Sequence, residues 1–294
     1  MDATSILGIP LYTFSKHSGM GASPGALRSA GLLTAVRGAV LDEGDLAIAP
    51  LKVDLEEGHV KNFGYFKDAT ARICEAFSRL RTERVILIGD ECSGTVGSVA
   101  GLKDVFAGKP GMLWMDAHGD FNTPESSPSG YIGGMCLAMA CGRGPKLGDE
   151  VETARPLLAQ ERLVHVGSRA LDEPEVLAFN SSPAKLFTAQ QVRTTGARDV
   201  AEEAARHLAN RSDWIICHLD VDVIDPSIVP AVSYPTPNGL TPDEVVAIIS
   251  ALDKTEKLKV IEIAAYNASL DRDRSSAHAV VDLMKRADLW NQAA

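Results

Sequence analysis

The sequence predicts an α/β fold, a three-layer α/β/α arrangement around a mainly parallel sheet of roughly eight strands, in a single domain spanning residues 1–294. Short, fully apolar runs such as VILI at 85–88 and GMLWM at 111–115 suit strands buried on both faces. Such runs alternate with longer stretches at helical spacing, which calls for right-handed crossovers and parallel pairing. No repeat, low-complexity segment or linker divides the chain, and 45% apolar residues are enough for one large core.

In chain order, residues 5–10 and 46–50 read as the first two strands. Between them a helix is expected over 24–37, with Ser23 as cap and Pro24 at its first position. Phe66, Ile73, Phe77 and Leu80 recur at helical spacing and cover one face of a crossover helix. Further strands are expected at 85–88, 111–115, 162–166, 184–187, 214–219 and 259–263. Val200, Ala204 and Leu208 mark one later helix, and 241–252, capped by Thr241 with Pro242 behind it, marks another.

A net charge of −10 and a pI near 5.2 give no basic footprint, which argues against nucleic acid and anionic membrane as partners. No uninterrupted apolar run reaches the ~18 residues a span requires, and the N-terminus lacks a basic segment followed by a long apolar one. Five cysteines, an odd number without a CxxC pair, point to a reduced, cytoplasmic protein.

Two strand ends carry the chemistry. The run at 111–115 leads into Asp116, His118 and Asp120, which point to one side if the strand continues. The run ending CHLDVD presents Asp220 and Asp222 with the same spacing. Four carboxylates in one cleft repel one another unless cations hold them. Oxygen-rich ligation with one imidazole suits Mn²⁺, and the donors suffice for two ions, a known device for activating water. A solvated acidic turn would explain one such triplet, but not the same spacing at two strand ends. Parallel sheets gather ligands beyond the carboxyl ends of their strands, and the Pro-, Ser- and Thr-rich segment 122–130 is placed to form a loop over that site.

Several motifs, in order, carry a family resemblance: PGALR at 24–28, DAHGDFNTP at 116–124, DVDVIDPSIVPAVSYPTPNGL at 220–240, VIEI at 260–263 and NASLD at 267–271. Over nearly its whole length the chain resembles the ureohydrolase superfamily of arginases, agmatinases and formiminoglutamases. The resemblance implies two Mn²⁺ per subunit, bridged by Asp116 and Asp220, with His118 and Asp222 completing one shell and Asp120 part of the other. A further family histidine falls on Cys92 within Gly89-Asp90-Glu91-Cys92-Ser93. Either Cys92 is a softer ligand that holds one ion weakly, or it is a small buried side chain beside the site. Gly133 stands where arginases carry a proton-shuttle histidine, which formiminoglutamases also lack. Tyr131 is either its substitute or a loop aromatic.

By the same resemblance, Asn122 and Ser129 match positions that bind an α-carboxylate, Asp172 the position that meets an α-amino group, and Glu262 the partner of a guanidinium. Tyr234 replaces a smaller threonine and reshapes the pocket. The implied reaction has a metal-bridging hydroxide, oriented by Asp120, attack the amidino carbon of a guanidino amino acid held by Glu262. Arginine or N-hydroxyarginine would then yield an amine such as ornithine and urea or a urea derivative. The alternatives are agmatine, guanidinobutyrate or formiminoglutamate as substrate, or a catalytically weak binding or assembly subunit. The departures at Cys92 and Gly133 favour that last reading, and the retained acidic ligands oppose it. The family commonly forms trimers and hexamers, so a homo-oligomer is expected. Plainer roles are assigned to His165 (core or subunit contact), His59 and His278 (surface or packing), and Cys136 and Cys141 (packing within a helix). His218 shares the face of Asp220 by period two and is placed to support the ligands from behind.

Overall fold

Eight strands form one sheet in the order β2-β1-β3-β8-β7-β4-β5-β6, with every neighbouring pair parallel. They are β1 (Ala3–Ile9), β2 (Ala39–Asp45), β3 (Arg84–Gly89), β4 (Pro110–Met115), β5 (Leu163–Ser168), β6 (Lys185–Thr188), β7 (Trp214–Asp220) and β8 (Leu258–Ala264). This computed structural model describes residues 3–13, 21–51, 60–80, 82–89, 91–152 and 155–291; His59 and Asp90 lie outside them. The helices described are α1 (Ser23–Ser29), α2 (Leu32–Ala35), α3 (Phe63–Phe77), α4 (Thr95–Val105), α5 (Cys136–Ala140), α6 (Asp149–Glu152), α7 (Glu173–Asn180), α8 (Ala189–Thr195), α9 (Ala197–Ala209), α10 (Pro242–Asp253) and α11 (Ser275–Ala287).

Strand periodicity divides the core between two faces. Ile86, Ile88, Leu113, Met115, Cys217 and Leu219 pack with residues of α1, α2 and α8 to α11. Val85, Leu87, Met112, Trp114 and Ile216 pack on the other face with residues of α3 to α6 and with Phe179 of α7. Because β4, β7, β8 and β3 are central and covered on both sides, their carboxyl ends lie side by side, and loops leaving those ends converge. Among the described residues no helix is long and apolar enough to cross a membrane.

Two expected elements are corrected. The helix over 24–37 is broken into α1 and α2, since Gly31 takes φ +101°, a left-handed conformation that ends the first helix. Ser23 is not its cap, because that position falls on Ala22, and the Ser23 hydroxyl donates instead to the Tyr266 carbonyl at 2.5 Å. The strand expected at 46–50 lies just beyond the real second strand, β2, whose sequence AVLDEGD is mostly exposed. An edge strand paired on one side needs no apolar run, so hydrophobicity gave no signal there. The other seven strands lie within a residue or two of their expected places, and Thr241 caps α10 in a capping box with Glu244.

Candidate active site

The expectation that Asp116, His118 and Asp120 project from a continuing strand is not met, because β4 ends at Met115. The chain then runs on irregularly, with a single bridge between His118 and Ala170, and Asp120 sits at φ +49°. Backbone hydrogen bonds, in place of pleat alternation, gather the side chains. Asp116 Oδ1 accepts from the His118 amide (2.7 Å) and its Oδ2 from Trp114 Nε1 (3.0 Å). Asp220 Oδ1 accepts from the Asp222 amide (2.7 Å), and Asp222 Oδ1 from the Ala117 amide (3.1 Å).

Two donor sets result, each with atoms within 4.8 Å of one another: Cys92, Asp116 and Asp220, and Asp116, His118 and Asp222. Asp116 belongs to both, as a bridging ligand would, whereas Asp220 belongs to the first alone and Asp120 to neither. His118 Nδ1 lies 3.1 Å from Asp222 Oδ2 and 3.3 Å from Asp116 Oδ1. The Cys92 thiol donates to Asp220 Oδ2 at 3.0 Å. Asp120 borders the same cavity, with Cys136 Sγ 3.5 Å from its Oδ2.

The electrostatics fit a cation-binding cluster. Burial, and then the neighbouring aspartates, push the carboxyls of Asp116, Asp120 and Asp220 above their usual range. Burial works against charge on His118, yet Asp222 and Asp116 outweigh it and raise the imidazole to about 12. That imidazolium, in turn, outweighs burial at Asp222 and lowers its pKa. The protein alone thus compensates its crowded acids with protons and one histidine charge, a task divalent ions would take over. Burial followed by Asp220 pushes the Cys92 thiol well above its usual value, so binding there must expel a proton.

Above these groups lies a cavity of about 200 Å³. Asn122, Ser129, Asp172 and Tyr234 all border it, as expected. Asn122 Nδ2 donates to Asp172 Oδ2 at 2.9 Å, and Ser129 Oγ accepts from the Tyr131 amide at 3.1 Å. The Tyr234 ring stands edge-on to His118, centroids 6.3 Å apart. Glu262 is not on the cavity wall. Its Oε2 accepts from Thr95 Oγ1 (2.6 Å) and pairs with His218 Nδ1 (2.8 Å), while Ser98 Oγ is 3.4 Å from Oε1. It is 2% exposed, and the wall beyond β8 is supplied by Ala265. His218 stacks on Trp114 at 3.7 Å, so Glu262, His218 and Trp114 form a buried relay behind Asp116.

Among the cavity residues left without a role by the sequence reading, Glu91, Glu175 and Ala265 stand out. Glu91 Oε2 accepts from the Thr13 amide and hydroxyl (2.7 and 2.8 Å) and from Ser93 Oγ (2.8 Å), while Oε1 accepts from the Tyr131 hydroxyl. Glu175 Oε1 accepts from the Phe121 amide (2.9 Å) and its Oε2 from the Asp172 amide (2.9 Å), fastening the segment after β4 to α7. The D-x-x-E spacing of Asp172 and Glu175 was a readable capping-box signal. Neither Glu91 nor Ala265 had one. Gly133 leaves room for the Tyr131 ring, since a Cβ there would lie 2.6 Å from Tyr131 Cε1.

Comparison with known proteins agrees with this geometry. An arginase from Bacillus caldovelox is 30% identical over 291 residues, covering 97% of each chain. An arginase from Staphylococcus aureus is 28% identical over 288 residues, covering 95% of this chain and 94% of the relative. The native structure of the Bacillus caldovelox enzyme superimposes with a TM-score of 0.91 at 29% identity, covering 100% of this chain and 99% of that one. The description Arginase family matches residues 2–288, and the chain belongs to that family.

Proposed function

We propose that this chain hydrolyses the amidino C–N bond of arginine, releasing ornithine and urea, with two Mn²⁺ ions held in its acidic cluster. The observation that carries the reading is the pair of donor sets sharing Asp116 beneath a cavity rimmed by Asn122, Ser129 and Asp172. Cys92, Asp116 and Asp220 would hold one ion, and Asp116, His118 and Asp222 the other. Bound there, divalent cations supply an ionised water near neutral pH and stabilise developing negative charge. Mn²⁺ suits the oxygen-rich set, and the softer Cys92 makes the first site the weaker one.

The chain's own groups do the rest. Asn122 and Ser129 present polar side chains for an α-carboxylate, and Asp172 offers an acceptor for an α-amino group. Asp120, buried beside both donor sets, is placed to orient the attacking water. Tyr234 and Tyr131, centroids 6.0 Å apart, wall the cavity and limit water access. Full-length similarity to arginases favours arginine over agmatine or formiminoglutamate, because a formimidoylglutamase neighbour at 17% identity shares the fold alone. Five free cysteines support a reducing, cytoplasmic setting, and a homo-oligomer is proposed from family habit.

The test is urea and ornithine release from Mn²⁺-loaded protein, measured by mass spectrometry, with N-hydroxyarginine, agmatine, guanidinobutyrate and formiminoglutamate run in parallel. Turnover of arginine above the rest supports the reading. Metal verified bound without arginine turnover overturns it.

A further inference from the structure

We propose that Glu91, and not Glu262, is the carboxylate that receives the cationic amidino end of the substrate. The proposal rests on the arginine reading above and names the specificity residue of that same cavity. A planar cation with paired N–H donors calls for a carboxylate on the cavity wall. Glu262 does not provide one: it faces Thr95, Ser98 and His218 within the protein, and the residue just beyond β8 that lines the cavity is Ala265.

The remaining wall carboxylates can be sorted by their partners. Asp116, Asp220 and Asp222 are committed to the ions they would hold, and Asp120 to the attacking water. Both oxygens of Glu175 accept backbone amides, and Asp172 caps α7 and pairs with Asn122 at the amino-acid rim. Glu91 differs. Three donors converge on Oε2 and fix the carboxylate plane, and Oε1, which accepts from the Tyr131 hydroxyl, keeps a second lone pair for one N–H of the cation; the Glu175 oxygens have the same capacity, so what sets Glu91 apart is its place beside the first donor set. It adjoins Cys92, so a cation seated there lies next to the first donor set, in the cavity that Tyr131 and Tyr234 also line.

The experiment compares arginine with citrulline, its neutral urea counterpart, on Mn²⁺-loaded wild type, Glu91→Gln, Glu91→Asp and Glu262→Gln. Affinities come from calorimetry and from KM for arginine with Ki for citrulline. Wild type should prefer arginine by roughly tenfold or more, as a charge-assisted pair implies. Glu91→Gln should bring the two within about threefold by raising the arginine KM while citrulline binding holds, and Glu91→Asp should fall between. Glu262→Gln should keep the wild-type preference. A preference unchanged in either Glu91 variant, lost in Glu262→Gln, or absent in wild type overturns the inference. Urea release by wild type reads the arginine assignment separately, so failure of one is distinguishable from failure of the other.

Discussion

Replacing Glu262 with leucine separates a supporting role from a substrate-binding one. The side chain is 2% exposed and accepts two short hydrogen bonds, 2.6 Å from Thr95 Oγ1 and 2.8 Å from His218 Nδ1. Leucine is of similar size, so the loss is chiefly of partners, and each orphaned buried group costs about 1–3 kcal/mol. Two of them give about 2–6 kcal/mol, or a fall in Tm of about 4–12 °C at about 2 °C per kcal/mol. Glutamine keeps an oxygen for Thr95 and His218 and should cost only about 1–2 kcal/mol. Calorimetric melting of both Mn²⁺-loaded variants, beside arginine KM, supplies the readout. If Glu262→Leu melts within about 2 °C of wild type while its KM climbs steeply, Glu262 faces substrate and the relay behind Asp116 is refuted.

Three further outcomes are expected. Asp116→Asn and Asp220→Asn should each lose metal by elemental analysis together with urea release, and turnover without metal would sink the metal-dependent reading. Chelated protein should lose stability as pH rises: the raised carboxyls of Asp116, Asp120 and Asp220 and the raised His118 bind protons in the fold that the unfolded chain has released. That stability is therefore complete at low pH and lost as pH climbs through the raised values, and Tm against pH with and without Mn²⁺ should diverge toward alkaline pH. Gly133→Ala should cost about 1–3 kcal/mol by displacing the Tyr131 ring, which a Cβ would meet at 2.6 Å. An unchanged Tm would show that the ring yields freely.

The chain by itself determined the buried strands, the layers and the acidic cluster. Runs such as Val85 to Ile88 are apolar on both faces, and only a covered parallel sheet buries them. The two aspartate pairs sit at the ends of such runs, and parallel topology sends those ends to one edge. The tertiary structure decided what depends on partners distant in sequence. Gly31 broke a helix that periodicity alone left whole, and β2 formed without an apolar run because an edge strand is held by backbone pairing. Glu262 turned from the cavity because Thr95 and His218, 167 and 44 residues away, satisfy its oxygens. Glu91 came onto the wall because Thr13 and Tyr131 hold it there. Local pattern records which face a residue presents, whereas hydrogen-bond satisfaction inside a core is settled by contacts that only the folded chain brings together.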